Sequence, residues 1–195
     1  MKLKTDLLNP KNFNRTQSEL EEFLLLCIFV AGKSSKTQYK KLELFLDEID
    51  TTNGIFDALS KLSIDEIKQK LIKVKAGQYN RLCGCLFILS RKNLDLQTCT
   101  CEELEAIPGI GMKTSRFFIT YSRLTNSYAI LDTHILKFIK ENIDERAPKS
   151  TPTVKVTYKY WEDLFLYWCE VRNKNVADFD LEVWKSYART AKNEN

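Results

Sequence analysis

The stretch Glu103-Leu104-Glu105-Ala106-Ile107-Pro108-Gly109-Ile110-Gly111-Met112-Lys113-Thr114 places reactive side chains beside a glycine turn. Pro108 ends one helix, and Gly109 and Gly111 admit backbone angles that other residues resist. Ile110 is apolar and suits the underside of the turn. The next helix then opens with unpaired N–H groups at residues 111–113, a ready seat for a phosphate. Lys113 adds either a cation for that phosphate or an amine able to attack an electrophilic carbon. Further along, Tyr128-Ala129-Ile130-Leu131 is an apolar run that ends at Asp132, followed by Thr133-His134. Taken alone, Asp132 is most simply a cap for the next helix, accepting from the N–H groups of residues 133–135.

With a capped helix before it and an amphipathic one after it (Phe117, Phe118, Tyr121), the glycine turn reads as a helix-hairpin-helix. That motif holds the DNA backbone without reading bases; a plain turn between helices is the alternative. Ile-Pro-Gly-Ile-Gly-Met-Lys-Thr followed by Leu-Asp-Thr-His resembles the signature of the helix-hairpin-helix DNA glycosylases, the endonuclease III and 8-oxoguanine glycosylase superfamily. A weaker likeness runs from Leu20 to Lys140. Within it, Val74-Lys75-Ala76-Gly77-Gln78-Tyr79-Asn80 is similar to the family's Gly-x-Tyr segment.

The resemblance implies an all-α fold of two lobes with a cleft between them. One lobe is expected over 20–127, with the hairpin at about 100–122, and the other from 1–19 together with 128–195. It also implies that Lys113 is the nucleophile and Asp132 the catalytic carboxylate. Breaking a nucleoside C1′–N bond builds oxocarbenium-like charge, which an ionised carboxylate stabilises. A lysine amine can take C1′ as a Schiff base and so permit β-elimination of the 3′ phosphate. Free lysine is protonated at neutral pH, so Lys113 needs desolvation or a neighbouring positive charge such as Arg116. DNA contacts are expected from Gly109, Gly111, Met112, Thr114 and Arg116. Lys33 or Gln38, in the loop 32–38, would fill the gap left by a flipped base.

No cofactor is required by this chemistry, although carbonyls of Glu105, Ile107 and Ile110 offer a seat for a monovalent cation. The iron–sulfur cluster of many endonuclease III relatives is not expected, because only Cys169 lies beyond Asp132. Two readings stand beside the bifunctional enzyme. One is a monofunctional glycosylase in which Asp132 activates water and Lys113 only touches phosphate. The other is a non-catalytic DNA-binding hairpin protein. The interval from Lys113 to Asp132 resembles the 8-oxoguanine group slightly more than the endonuclease III group, and an oxidised pyrimidine or a hypermodified base stays open.

The elements that must position these residues read as helices throughout. Ser18-Glu19-Leu20-Glu21, Ser63-Ile64-Asp65-Glu66 and Thr100-Cys101-Glu102-Glu103 have the form of capping boxes. Helices are predicted from the first box to Ala31 and over Lys36–Ile49, Ile55–Leu62, Ser63–Lys73 and Gln78–Arg91. More follow on both sides of the hairpin and over Leu131–Ile143, Val154–Arg172 and Val176–Ala188. The segment 20–31 is apolar nearly all round, which marks a central helix. Only six glycines and four prolines occur, too few turn formers for an all-β chain.

Composition sets wider bounds. The chain is 44% hydrophobic and 29% charged, the profile of an ordinary globular protein. A net charge of +4 is compatible with nucleic acid without requiring it. No apolar run reaches the length of a membrane span, and no apolar signal region follows the basic N-terminus. The expectation is a cytoplasmic monomer, associated with the nucleoid through double-stranded DNA, with reduced cysteines. Cys83-Gly84-Cys85 and Cys99-Thr100-Cys101 have the wrong spacing for zinc, so no metal site is expected. His134, the single histidine, is expected to be structural.

Overall fold

The computed structural model describes residues 12–33, 35–124 and 128–193. Residues 1–11, which the sequence assigns to the second lobe, lie outside the described residues. Ten helices are described: α1 (Gln17–Phe29), α2 (Ser35–Leu46), α3 (Ile55–Ser60), α4 (Ile64–Lys73), α5 (Tyr79–Leu89), α6 (Cys101–Glu105), α7 (Met112–Ser122), α8 (Thr133–Asn142), α9 (Lys155–Val171) and α10 (Val176–Asn193). No strand occurs among the described residues.

Helix α1 is the hub of the first core, and every residue from Leu20 to Phe29 is buried. Around it pack Phe45 and Leu46 of α2, Leu59 of α3, Leu71 of α4, Leu82 and Leu86 of α5, and Phe118 of α7. Its cap differs from the predicted one. Thr16, not Ser18, accepts from the Glu19 N–H, and Glu19 returns a bond to the Thr16 N–H. Glu21 is thereby released to cap α3 from a different helix. Its Oε2 accepts from Ile55 N at 2.9 Å and Phe56 N at 3.1 Å. The boxes at Ser63–Glu66 and Thr100–Glu103 form as expected.

A second core gathers Ile135, Leu136 and Ile139 of α8, Tyr158, Trp161 and Phe165 of α9, and Phe179 and Val183 of α10. The two cores meet along the non-helical stretch 128–132, whose side chains alternate between them. Ile130 accordingly enters the first core, whereas Ala129 and Leu131 enter the second. The seam is closed by Met112, which packs on the second core, and by Ala177 of α10, which packs on the first.

Candidate active site

The hairpin is built as a tight reversal. Ile107 and Ile110 are buried beneath it, and Ile110 N donates to Ile107 O at 3.0 Å. Gly109 has φ +97, and a Cβ there would lie 3.0 Å from Cys85 Cβ and 3.3 Å from Arg81 O, so glycine is required twice over. Gly111 corrects the expectation that both glycines are needed for their angles. Its φ of −101 and ψ of 172 are open to any residue, and a Cβ there would meet nothing. What glycine does at 111 is keep the start of α7 bare. No side chain caps that helix, and Gly111 at its start is exposed.

Arg81, which the sequence did not single out, clamps the turn. It donates to Gly109 O and to Ile28 O, each at 2.9 Å, and to Gln78 Oε1 at 2.6 Å. The glycine turn is thus tied to the end of α1 and to the Gly77-Gln78-Tyr79 segment, where Gln78 takes a left-handed conformation with φ 49.

Asp132 is the N-cap of α8. Its Oδ1 accepts from His134 N at 2.8 Å and Ile135 N at 2.9 Å. Two N–H donors at a helix N-terminus suit an anionic acceptor. The half-buried His134 ring lies edge-on to Trp184, centroids 6.2 Å apart, which is a packing role.

The approach to Asp132 lies in no helix or strand; Asp132 N donates to Ile130 O at 2.6 Å, and side chains satisfy other backbone groups of the stretch. Thr120 Oγ1 donates to Tyr128 O at 3.2 Å, and Ala129 N donates to Glu162 Oε1 at 3.2 Å. Tyr158 Oη donates to Ala129 O at 3.0 Å and accepts from Leu131 N at 3.1 Å. Thr151 Oγ1 donates to Leu131 O at 2.7 Å. The catalytic candidate is therefore held from three directions.

Arg116 requires a correction. It is 4% exposed, and its guanidinium is bound by Glu162 at 2.8 Å and Glu105 at 2.6 Å. A guanidinium neutralised by two carboxylates neither reaches a DNA phosphate nor lends positive charge to Lys113. Gln38 is corrected too: at 2% exposure it lies inside the fold and cannot fill a gap in DNA. Thr114 is likewise buried, which leaves its backbone N–H bonded to Gly111 O at 2.9 Å. Lys33 reaches back to Ala76 O at 2.6 Å, over Gly77. Ile107 O already accepts from Ile110 N, while Glu105 uses its side chain on Arg116 and Ser115.

Lys113 and Met112, both half-buried, stand in the first turn of α7. One buried carboxyl group, to which no sequence motif points, feels the charge of both Lys113 and Asp132. Asp180 of α10 is 7% exposed and lies within electrostatic reach of both. Tyr121, at the far end of α7, donates from Oη to Asp180 Oδ2 at 2.5 Å. The available signal was an acidic residue directly after Phe179 on the apolar face of α10. All six cysteines are buried free thiols, and burial pushes that of Cys101 up to about 11. No cluster of metal-ligating side chains is found among the described residues.

No family model matches the chain. It is 26% identical to an 8-oxoguanine DNA glycosylase/AP lyase of Picrophilus torridus, across 97% of this chain and 96% of that protein. Among solved structures it is similar to the Methanocaldococcus jannaschii 8-oxoguanine glycosylase/lyase in complex with a 15mer DNA containing 8-oxoguanine. There the TM-score is 0.69 at 20% identity, covering 97% of this chain and 89% of that one. The 8-oxoguanine DNA glycosylase of Thermotoga maritima follows with a TM-score of 0.66 at 20% identity, covering 93% and 86%. Over nearly its whole length the chain is thus similar in sequence to an 8-oxoguanine DNA glycosylase/AP lyase, and it shares the all-helical fold of the solved 8-oxoguanine glycosylases.

Proposed function

We propose that the chain is a DNA glycosylase with abasic-site lyase activity that excises an oxidised purine from double-stranded DNA. The observation that supports this reading is the pair of helix starts: Lys113 stands in the uncapped first turn of α7, after the Gly109 turn, and Asp132 is the N-cap of α8. The N–H groups beginning α7 would hold a phosphate and bring the flanking sugar to Lys113. Asp132 would face the positive charge that grows on that sugar as the base departs. Attack by the Lys113 amine at C1′ leads to a Schiff base, and loss of the 2′ proton then expels the 3′ phosphate.

Among bases, 8-oxoguanine is our choice, because it is the base named for the similar proteins of Picrophilus and Methanocaldococcus. No resident cofactor is needed in this scheme. A monovalent cation on the hairpin carbonyls of Glu105, Ile107 and Ile110 would serve only to stiffen the turn. No helix of the described residues is long and apolar enough to cross a membrane. We place the protein in the cytoplasm at the nucleoid, acting as a monomer.

The test is a duplex carrying one 8-oxoguanine, incubated with the protein and then with sodium borohydride. Base release with a covalent adduct that vanishes in Lys113→Gln supports the bifunctional enzyme. Base release without an adduct means that Asp132 activates water instead. Neither activity on oxidised purines, oxidised pyrimidines or hypermodified bases leaves only a DNA-binding hairpin.

A further inference from the structure

Helix α2 turns a basic face outward. Gln38, Leu42, Phe45 and Leu46 make its buried side, and the other side carries the exposed Lys36 and Lys40 and the half-buried Lys41. Lys75, just past the end of α4, joins them, and the four lysines line one open groove with Leu44 and Val74. No carboxylate lines it, and Glu43, the one acidic residue of α2, stands outside it. Lys36 and Lys40 are one helical turn apart, a like-charge spacing that costs helix stability. Among the described residues, no ion pair neutralises any of the four. Lys61, Lys137 and Lys174, by contrast, each stand against a carboxylate. A surface that serves solubility alone mixes both signs, as those three sites do.

The backbone at Lys75 is a second, independent sign. Its φ is 54, and it holds the left-handed place after α4, where Lys75 N donates to Ile72 O at 2.9 Å and Ala76 N to Leu71 O at 3.0 Å. Glycine fills such a place without steric cost, so lysine stands there against the preference of the backbone. The groove is also continuous with the hairpin. Ala76 O, beside Lys75, accepts from Lys33 Nζ at 2.6 Å. Gln78 Oε1, two residues on, accepts from Arg81 at 2.6 Å, and Arg81 donates to Gly109 O at 2.9 Å in the hairpin turn. Burial, with the charges of Lys41 and Arg81 added, pulls the Lys33 ammonium below its usual range. Positive charge therefore runs from α2 across 75–81 to the turn.

We propose that this groove is a second phosphate seat, holding the backbone of the same duplex DNA that the hairpin holds. The inference rests on the DNA-binding reading given above and is independent of the chemistry assigned to Lys113 and Asp132. Lysines present point charges on long stems, which follow a phosphate backbone without reading bases. Leu44 and Val74 offer an apolar strip along which those stems can lie. The groove thus adds affinity and holds the duplex from a second place, so that the hairpin does not carry it alone.

The test is fluorescence anisotropy of a labelled duplex of about 25 base pairs carrying an uncleavable abasic-site analogue, measured from about 50 to 300 mM salt, with thermal melts of each variant. Lys36→Gln/Lys40→Gln/Lys75→Gln should flatten the slope of log affinity against log salt by about two to three units, near one for each lost phosphate contact. At the lowest salt it should bind about tenfold more weakly, or worse. Lys61→Gln/Lys137→Gln/Lys174→Gln removes the same charge from lysines that carboxylates already hold, so its slope should change by less than about one unit. Lys75→Gly relieves the left-handed backbone, so it should melt no earlier than the wild type while losing about one unit of slope. If the triple groove variant melts early, that single variant decides. Equal slopes for the two triple variants, or an unaltered slope in Lys75→Gly, overturn the groove while leaving DNA binding at the hairpin intact. A wild type that does not bind the duplex instead overturns the DNA-binding reading itself.

Discussion

Arg116 Nε lies 2.8 Å from Glu162 Oε1, and the same oxygen accepts from Ala129 N at 3.2 Å. One carboxylate therefore ties the hairpin's second helix to the strand-like approach to Asp132. Both side chains are almost wholly buried. Removing one partner leaves an uncompensated charge in the fold, which costs about 3–5 kcal/mol. Arg116→Met should lose stability of that order in urea unfolding, and Arg116→Met/Glu162→Leu should regain part of it. A loss below about 0.5 kcal/mol for the single variant would mean that the pair is solvated, as surface ion pairs are.

Gly109 and Gly111 should respond differently to the same substitution. Gly109→Ala meets a positive φ and a crowded Cβ position against Arg81 and Cys85. It should cost about 1–3 kcal/mol, read as a lower Tm. Gly111→Ala meets neither obstacle and should leave Tm nearly unchanged. Its methyl group would stand at the bare start of α7, so it should weaken DNA binding in a filter or anisotropy assay. Equal melting temperatures for the two variants would contradict the hairpin geometry.

Asp132→Asn should separate catalysis from folding. Asparagine caps a helix about as well as aspartate, so stability should change by less than about 0.5 kcal/mol. Base release should fall by about a hundredfold or more, because a neutral amide cannot offset the sugar's positive charge. Asp132→Ala should lose the cap as well, with about 1 kcal/mol of stability. Activity retained in the Asn variant would reduce Asp132 to a cap.

Tyr158→Phe removes the donor to Ala129 O and the acceptor for Leu131 N together. Two buried backbone groups are left unsatisfied, at about 1–3 kcal/mol each. The variant should melt earlier and show amide exchange at 129–132 well ahead of that in α5. Unchanged exchange there would mean that Thr151, Thr120 and Glu162 suffice.

Lys113→Gln should abolish borohydride adducts while DNA affinity falls modestly. If Lys113 also touches a phosphate, the slope of log affinity against log salt should shrink by about one unit. An unaltered slope would assign the lysine to the sugar alone.

What could be read from the chain by itself was local. Caps at Ser63 and Thr100, the apolar periods of the helices and the Pro-Gly-x-Gly turn all depend on residues within a few positions of one another, and they formed at or near the expected places. Even the cap of α1 was displaced by only two residues, because Thr16 and Ser18 both offer a hydroxyl three residues before a glutamate. The places of Lys113 in the first turn of α7 and of Asp132 as the cap of α8 were legible for the same reason, each being tied to a turn or a helix start visible in short sequence.

Tertiary structure decided everything that depends on partners distant in the chain. A buried arginine and a phosphate-binding arginine have the same letter, and only the arrival of Glu162 turned Arg116 inward. Gln38 stands one turn before Leu42 on the apolar inner face of α2, but a polar side chain in the first turn of a helix carries no local sign that it will be buried. Glu21, Arg81, Tyr158 and Asp180 act across gaps that no local pattern spans. Asp132 could thus be placed from its own neighbourhood, whereas the buried bond from Tyr121 to Asp180 required α7 and α10 to fold against each other, because burial and electrostatic coupling exist only once chain segments are packed.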